Sequence, residues 1–230
     1  MLVRINKYLS DKKICSRRRA DKLIKDGLVF INGKKAKIGQ IIDTDKDKVE
    51  VKARLEYRYF LFNKPRGIVS YKTTKNEKDA ISAAKLNRKE FAVVGRLDKD
   101  SEGLLLITND GRIVNRLLNP KFEHEREYLV WVNKNIKSSH IKELEKGVNI
   151  EGYKTKPAKA KKISDRLIKI ILKEGKKHQI RRMMTALGYQ VERLKRTRIM
   201  NLSVEGIKEG EKKELTGDKL KLFLDKLGIN

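Results

Sequence analysis

Asp98 is the side chain in this sequence whose setting most suggests chemistry. It lies in the stretch Val93-Val-Gly-Arg-Leu-Asp-Lys-Asp-Ser-Glu-Gly-Leu-Leu-Leu-Ile-Thr-Asn-Asp-Gly111, where a polar, glycine-punctuated loop runs into an apolar run. An aspartate with the ordinary pKa of about 3.9 is ionised at neutral pH, so a held carboxylate is ready to act as a base or a nucleophile. Here the carboxylate stands between Arg96 and Lys99, a cationic setting. Aspartate in a loop is also ordinary turn chemistry, and a lone Gly-Arg-Leu-Asp would not decide between the two. The residues that follow bear on the choice. Leu104 to Ile107 shows no polar alternation and is closed by Thr108, Asn109, Asp110 and Gly111, which predicts a short strand buried on both faces and ended by a turn. A loop tied to such a strand is held rigidly, and rigid loops on a sheet are where catalytic groups collect.

Other chemistries lack their residues. His124, His140 and His178 have neither the mutual spacing nor the accompanying cysteines of a zinc site, and each is read as structural or RNA-facing. Gly33 and Gly39 bracket a basic run without the Gly-Lys-Ser/Thr ending of a phosphate-binding loop. There is no Gly-x-Gly-x-x-Gly and no Gly-x-Ser-x-Gly elbow. No metal and no cofactor are expected. Cys15 is the one cysteine, so an internal disulfide framework is excluded.

The charge balance names the partner. Lys and Arg number 57 against 30 Asp and Glu, a net charge of +27, and the pI is about 10.1. That excess points to a polyanion, with nucleic acid ahead of an anionic membrane surface. No apolar stretch approaches the roughly 20 residues needed to span a bilayer, and residues 1–9 carry no signal-peptide pattern. A cytoplasmic protein without a membrane partner is the expectation.

The elements that would position these groups follow in order. Leu2, Ile5 and Leu9 share one helical face over residues 2–10. A second helix opens at Ser16, carries Ala20, Leu23 and Ile24 as its apolar side, and stops before Gly27. Leu28 to Ile31 reads as a strand, Asn32-Gly33 as a type I′ hairpin turn, and Lys48 to Val51 as another strand. Between residues 11 and 37 there are ten Lys/Arg against three acids, a footprint for phosphate carried by a small folded unit. Residues 53–58 read as a linker, giving domains at 1–54 and 59–230. Tyr59 to Phe62 is a strand, broken at Pro65 and Gly67 and resumed over Ile68 to Tyr71. Residues 72–90 are polar and weakly helical. Ile113 to Leu118 and Ile136 to Lys146 predict helices, Tyr128 to Val132 and Leu167 to Leu172 strands. His178 to Gly188 predicts a helix with Ile180, Met183, Met184 and Leu187 inward, followed by strand-like runs at Val191 to Leu194 and Thr197 to Met200. Residues 154–198 hold sixteen Lys/Arg against three acids.

Two resemblances join these pieces. Ile-Asn-Lys-Tyr-Leu, Ser-Arg-Arg-Arg-Ala-Asp-Lys-Leu-Ile and Gly-Leu-Val-Phe-Ile-Asn-Gly-Lys, within residues 1–52, resemble the S4-like (alpha-L) RNA-binding domain. Behind it, Asn63-Lys-Pro-x-Gly67, Gly95-Arg-Leu-Asp98-x-x-Ser-Glu-Gly, Glu125-Arg-Glu-Tyr128-Leu-Val and Gly175-x-x-His-Gln-Ile-Arg181-Arg-Met resemble bacterial pseudouridine synthases of the RsuA family, most of all its large-subunit rRNA synthase F branch. The resemblance implies an α+β chain: an S4-like domain followed by a catalytic domain on a mixed, mostly antiparallel sheet flanked by helices. It implies isomerisation of a uridine to pseudouridine in structured RNA, 23S rRNA first and 16S rRNA or tRNA as alternatives. Asp98 is then the catalytic carboxylate, attacking C1′ or taking the C2′ proton. Arg181 is its bidentate partner. Tyr128 stacks on the displaced uracil and assists at C5, and Arg96 fills the space the flipped base leaves. Arg17, Arg18, Arg19, Lys22, Lys64, Lys177 and Arg182 are expected on RNA phosphates, and Ile180 in the pocket wall. A monomer is expected, acting on rRNA or an assembling ribosomal subunit. The rival from composition is a non-catalytic RNA-binding or ribosome-assembly protein, which leaves Asp98 without a purpose. A methyltransferase would need a donor-binding glycine loop.

Overall fold

The computed structural model describes residues 1–71 and 77–229. The chain opens with β1 (Leu2–Arg4), α1 (Ile5–Asp11), α2 (Arg17–Lys25), β2 (Val29–Ile31), β3 (Lys34–Lys35), β4 (Ile41–Asp43) and β5 (Val49–Val51). Leu2 departs from the helical reading of residues 2–10: it lies in β1 opposite Asp43 of β4 and is exposed. The helix proper starts at Ile5, and Ile5 and Leu9, one turn apart, are the side chains it buries. Ser16 caps α2, accepting from the Arg19 N–H at 3.4 Å. Asn32 and Gly33 have φ of +49° and +79°, the pair of positive values a type I′ turn requires, and they join β2 to β3. Buried apolar residues from Ile5 to Ile42, Cys15 among them, form a core of their own.

The rest of the chain runs β6 (Tyr59–Lys64), α3 (Ala80–Ala83), β7 (Ala92–Val94), β8 (Ser101–Thr108), α4 (Ile113–Leu118), β9 (Arg126–Val132), α5 (Ser138–Lys146), β10 (Asn149–Ile150), β11 (Tyr153–Lys154), β12 (Lys159–Ser164), β13 (Leu167–Leu172), α6 (Gln179–Ala186), β14 (Val191–Ile199), β15 (Leu202–Ser203), β16 (Lys212–Glu214) and α7 (Gly217–Lys226). Among the described residues these strands make a nine-stranded sheet in the order β12-β13-β9-β14-β8-β6-β16, with β7 added to β8 and β15 to β14. β14 runs parallel to β8, and the other pairs are antiparallel. This is the mixed, mostly antiparallel α+β architecture expected.

β8 shows why its sequence has no alternation. Leu104 and Leu106 join a cluster with Ile113 of α4 and Phe223 of α7, while Leu105 and Ile107 join Phe60, Phe62 and Phe91 on the other side. A strand covered on both faces needs apolar residues at every position. A further cluster packs Val130, Ile168 and Ile170 of the sheet against Leu144 of α5 and Met183 and Met184 of α6.

Two further local readings change, and a third is filled in. Ile68 to Tyr71 does not resume a strand; the turn at Pro65 to Gly67 leads the chain away, and Val69 makes an isolated bridge with Asp79. In the polar stretch 72–90, residues 72–76 lie outside the described residues, and α3 follows, capped by the Asp79 side chain accepting from the Ser82 N–H at 2.9 Å. Residues 191–199 are one strand, not two, with register shifts between Val191 and Arg193 and between Arg196 and Arg198 that broke its pattern in the sequence. The two parts of the chain touch where the Tyr57 hydroxyl donates to the Ile14 carbonyl at 2.9 Å and Arg112 Nη1 to the Lys13 carbonyl at 3.2 Å.

Candidate active site

The loop carrying Asp98 leaves β7 and enters β8, and it is tied down along its length. Ser70, buried behind it, accepts from the Leu97 N–H at 2.8 Å and donates to the Leu97 carbonyl at 2.6 Å. The Gly67 N–H donates to the Lys99 carbonyl at 2.8 Å, and the Ser101 N–H to the Asp98 carbonyl at 3.0 Å. Arg181 Nη2 donates to the Asp100 carbonyl at 3.3 Å and Arg196 Nη1 to the Arg96 carbonyl at 3.2 Å. Satisfying loop carbonyls and amides from fixed elements is what makes the position of a loop carboxylate reproducible.

Asp98 itself is partly open to solvent and lines a cleft of about 510 Å³. Arg96, Lys176 and Lys177 stand at its exposed edges, and Tyr128, Leu172, Ile180, Leu194 and Arg196 form its inner wall. Tyr128 lies on β9 between Ile170 of β13 and Arg196 of β14, with its ring packed against two of the apolar clusters. Arg96 Nη1 donates to the Tyr71 hydroxyl at 3.3 Å. Glu174 is buried at the base of the 174–178 turn, accepting from the Lys156 N–H at 3.0 Å, from Gln179 Nε2 at 2.6 Å and from the Tyr153 hydroxyl. That hydrogen bond from Tyr153 raises the tyrosine to about 12.

Two sequence expectations are corrected. Arg181 is not the side chain on the Asp98 carboxylate; its guanidinium goes to the carbonyls of Val191, at 3.1 Å, and Asp100. The partner of Asp98 is His178, whose Nδ1 lies 3.0 Å from Oδ2. His178 adopts the left-handed backbone, φ +51°, just ahead of α6, which turns its ring toward the carboxylate instead of along the helix. Lys64 is not a phosphate clamp. It ends β6 opposite Gly103 with its side chain inward and fully enclosed, donating to the carbonyls of Pro65 at 2.9 Å, Ile68 at 2.7 Å and Lys99 at 3.4 Å. Burial pulls its amine down to about 8. Arg182, expected on phosphates, does not line the cleft and pairs with the exposed Glu151 at 2.6 Å. Arg17, Arg18, Arg19 and Lys22 are exposed on α2, and Ile180 is in the cleft wall, as expected.

The sequence reading missed His178 as the neighbour of Asp98, and Arg126 and Arg196 as members of the cleft. The signal for Arg196 was present in the alternation Arg193-Leu-Lys-Arg196, where Leu194 and Arg196 share a strand face. In a run so basic, nothing marked Arg196 as the buried one.

Comparison with known proteins places this geometry among relatives. Residues 58–186 match the family model for RNA pseudouridylate synthase, and residues 3–48 match the S4 domain. A relative in Escherichia coli (strain K12), named dual-specificity RNA pseudouridine synthase RluF, is 43% identical over 224 residues, covering 95% of this chain and 77% of that protein. The ribosomal large subunit pseudouridine synthase B of Bacillus subtilis (strain 168) is 36% identical over 229 residues, covering 95% of this chain and 94% of its own. A crystal structure of a pseudouridylate synthase superimposes with a TM-score of 0.71 at 29% identity, covering 98% of this chain and 99% of the other.

Proposed function

The chain belongs to the RsuA-type RNA pseudouridine synthases, an S4 domain followed by the synthase domain, and we propose that it isomerises a uridine of large-subunit rRNA with Asp98 as the catalytic carboxylate. The observation that carries the assignment of Asp98 is its place: a carboxylate on a loop bonded from five directions, at the mouth of a cleft whose wall holds Tyr128. The names of the relatives in E. coli and B. subtilis support an RNA substrate and, for the second, the large ribosomal subunit.

The isomerisation breaks the N1 to C1′ bond, turns the uracil and rejoins it through C5, and the RNA strand stays intact. The target nucleotide must leave its stack to enter the cleft, at a cost of a few kcal/mol. Asp98 then attacks C1′ or removes the C2′ proton as the base departs, and either route needs an ionised, oriented carboxylate. His178 supplies the orientation at the carboxylate and Arg181 at the loop backbone. Tyr128 offers a ring for the displaced base to stack on and a hydroxyl for the C5 proton. Arg96 and Lys177, exposed at the cleft, and Arg17, Arg18, Arg19 and Lys22 on α2 engage the RNA backbone, fixing register without reading bases. The S4-like domain at 1–54 acts as the docking module and the domain at 59–230 as the catalyst, in a cytoplasmic monomer.

Tritium release from large-subunit rRNA transcript made with C5-tritiated uridine tests the reading, because the C5 proton is lost at every turnover. Wild-type protein releases tritium, and Asp98→Asn releases none while binding the RNA with unchanged affinity and salt slope. Absence of release from large-subunit RNA, small-subunit RNA and tRNA alike would sink it in favour of an RNA-binding or assembly role.

A further inference from the structure

One buried arginine and one half-buried arginine line the cleft, and among the described residues neither is paired with a carboxylate. Arg196 is 4% exposed and stands opposite Tyr128 where β14 pairs with β9. Arg126 precedes Tyr128 by two positions on β9 and so shares its face of the sheet. Among the described residues neither takes part in an ion pair. Burial pulls Arg126 below the usual arginine value, and the nearby charge of Arg196 adds to that pull.

The two differ in how fully they are satisfied. Arg126 directs Nη1 to the His124 carbonyl at 3.2 Å and Nη2 to the Leu117 carbonyl at 3.0 Å. Arg196 directs Nε to the Leu104 carbonyl at 2.9 Å and Nη1 to the Arg96 carbonyl, which leaves Nη2 buried without a partner. Its seat depends on Gly103, where a Cβ would overlap the Arg196 carbonyl, so β8 and β14 approach closely only because that residue is glycine. Ser101 Oγ, 1% exposed and also without a partner, lines the same cleft. A charged donor left unmet in an enclosed site is expensive to maintain, and one fixed by two carbonyls cannot swing away to water. Such a donor is preorganised for an acceptor that carries negative charge during a reaction. Its position beside Tyr128 on the inner wall, away from Lys176 and Lys177 at the exposed edge, suits the base and not the phosphates.

We propose that Arg196 is a catalytic residue whose Nη2 donates to a carbonyl oxygen of the extruded uracil and holds the charge the base gains as the glycosidic bond breaks. This rests on the pseudouridine synthase reading above. The C1′–N1 bond breaks with its electron pair going to the base, where the charge spreads over N1, O2 and O4. The base then turns, the C5 carbon supplies the pair that forms the C5–C1′ bond, and the C5 proton departs as the ring regains its conjugation. In the nucleophilic route the new bond displaces the Asp98 carboxylate from C1′; in the elimination route the C2′ proton returns. No oxidant, reductant or second substrate is consumed.

The test uses the full chain and a synthetic RNA stem-loop containing the uridine mapped by tritium release, with that uridine replaced by 2-thiouridine or by 4-thiouridine. Sulfur accepts hydrogen bonds poorly, so one of the two replacements should slow single-turnover conversion by wild-type protein about 10- to 100-fold, the range for a hydrogen bond to a charged group. Arg196→Met should convert the unmodified RNA about 100- to 1,000-fold more slowly, the loss seen when one donor to a developing charge is removed. The same thio replacement should slow that variant no further. Should Arg196→Met not fold, Arg196→Lys, which keeps the cation but not the fork, carries the same comparison and should lose the same discrimination. Equal thio effects in wild type and variant, or none in wild type, overturn the proposal while leaving the enzyme assignment standing. A variant that merely binds RNA more weakly, with its thio effect intact, does so too and moves the acceptor to a phosphate. A wild-type protein that converts no RNA at all removes the reading and the inference together.

Discussion

Behind Asp98, the Lys64 amine is fully enclosed and answered by three backbone carbonyls; on α2, Arg17, Arg18, Arg19 and Lys22 lie open to solvent. The formal charge per residue is the same. The enclosed cation acts at one spot, by fixing the carbonyls of Pro65, Ile68 and Lys99 beside the loop that carries Asp98, and its burial is expensive enough to pull the amine down to about 8. The exposed cations act by number and at a distance, and added salt screens them. A basic protein of this kind therefore holds two populations of lysine and arginine, one enclosed and insensitive to salt and one exposed and screened by it. Under the proposed function the first would serve the catalyst and the second docking.

The sharpest way to break that distinction is Lys64→Met. It leaves three carbonyls facing an apolar side chain, which should destabilise the fold by about 2 kcal/mol at pH 7 and lower single-turnover conversion at least about 100-fold as the Asp98 loop shifts. Denaturant melts and conversion assays measure the two losses. The pH dependence carries a signature. Below pH 8 the amine is charged in the folded and the unfolded chain; between 8 and the unfolded value of 10.5 the folded amine has lost its proton and the unfolded one has kept it. The contribution of Lys64 to stability therefore rises with pH across that window, by a total of about 3 kcal/mol over the variant. An unchanged difference at pH 7 and pH 10 would show that the amine is not desolvated as described.

His178→Leu is next in size. It leaves the Asp98 carboxylate with its loop in place but without the imidazole 3.0 Å away, so conversion should fall about 10-fold with RNA affinity unaltered. His178→Gln, which keeps a donor, should recover most of that. Equal losses in the two variants would mean that the contact does not orient the carboxylate.

Replacing Arg17, Arg18, Arg19 and Lys22 together by Gln tests the other side of the comparison. Affinity for rRNA should fall about 10-fold or more at low salt, and the slope of log affinity against log salt should lessen by about 3 if all four meet phosphates. Bound RNA should still be converted at the wild-type rate. A slower conversion with unchanged affinity would put α2 in the wrong population.

The same division decides how much was readable in the sequence. β8, α4, β13 and the cap and turn residues of the first fifty positions could be read because each is fixed locally, by an apolar run, a Ser16 cap or the Asn32-Gly33 turn. Asp98 and Tyr128 could be read through motifs that kept their spacing, and both line the cleft. Which cation is enclosed could not be read. Nothing local marks Lys64 or Arg196 as enclosed, because their burial is set by strand pairings between distant segments, β6 with β8 and β14 with β9. The Asp98 to His178 contact likewise depends on one residue adopting a left-handed backbone ahead of α6, which nothing in Lys177-His178-Gln179 announces.

Arg182 is the mildest case and the most exacting for the comparison, because it belongs to neither population cleanly. It is half-buried on α6, paired at 2.6 Å with Glu151, whose own side chain is 76% exposed. An ion pair with one partner that open is worth about 0.2–1 kcal/mol, so Glu151→Gln should change stability by less than about 1 kcal/mol. If Arg182 is internal to the protein, neither Glu151→Gln nor Arg182→Gln alters the salt slope of RNA binding. If RNA draws Arg182 away from Glu151, Arg182→Gln lowers that slope by about 1, and Glu151→Gln, by removing the competitor, tightens binding. Measuring both variants against the four-residue change on α2 therefore fixes where the boundary between the two populations runs on α6: short of Arg182, or past it.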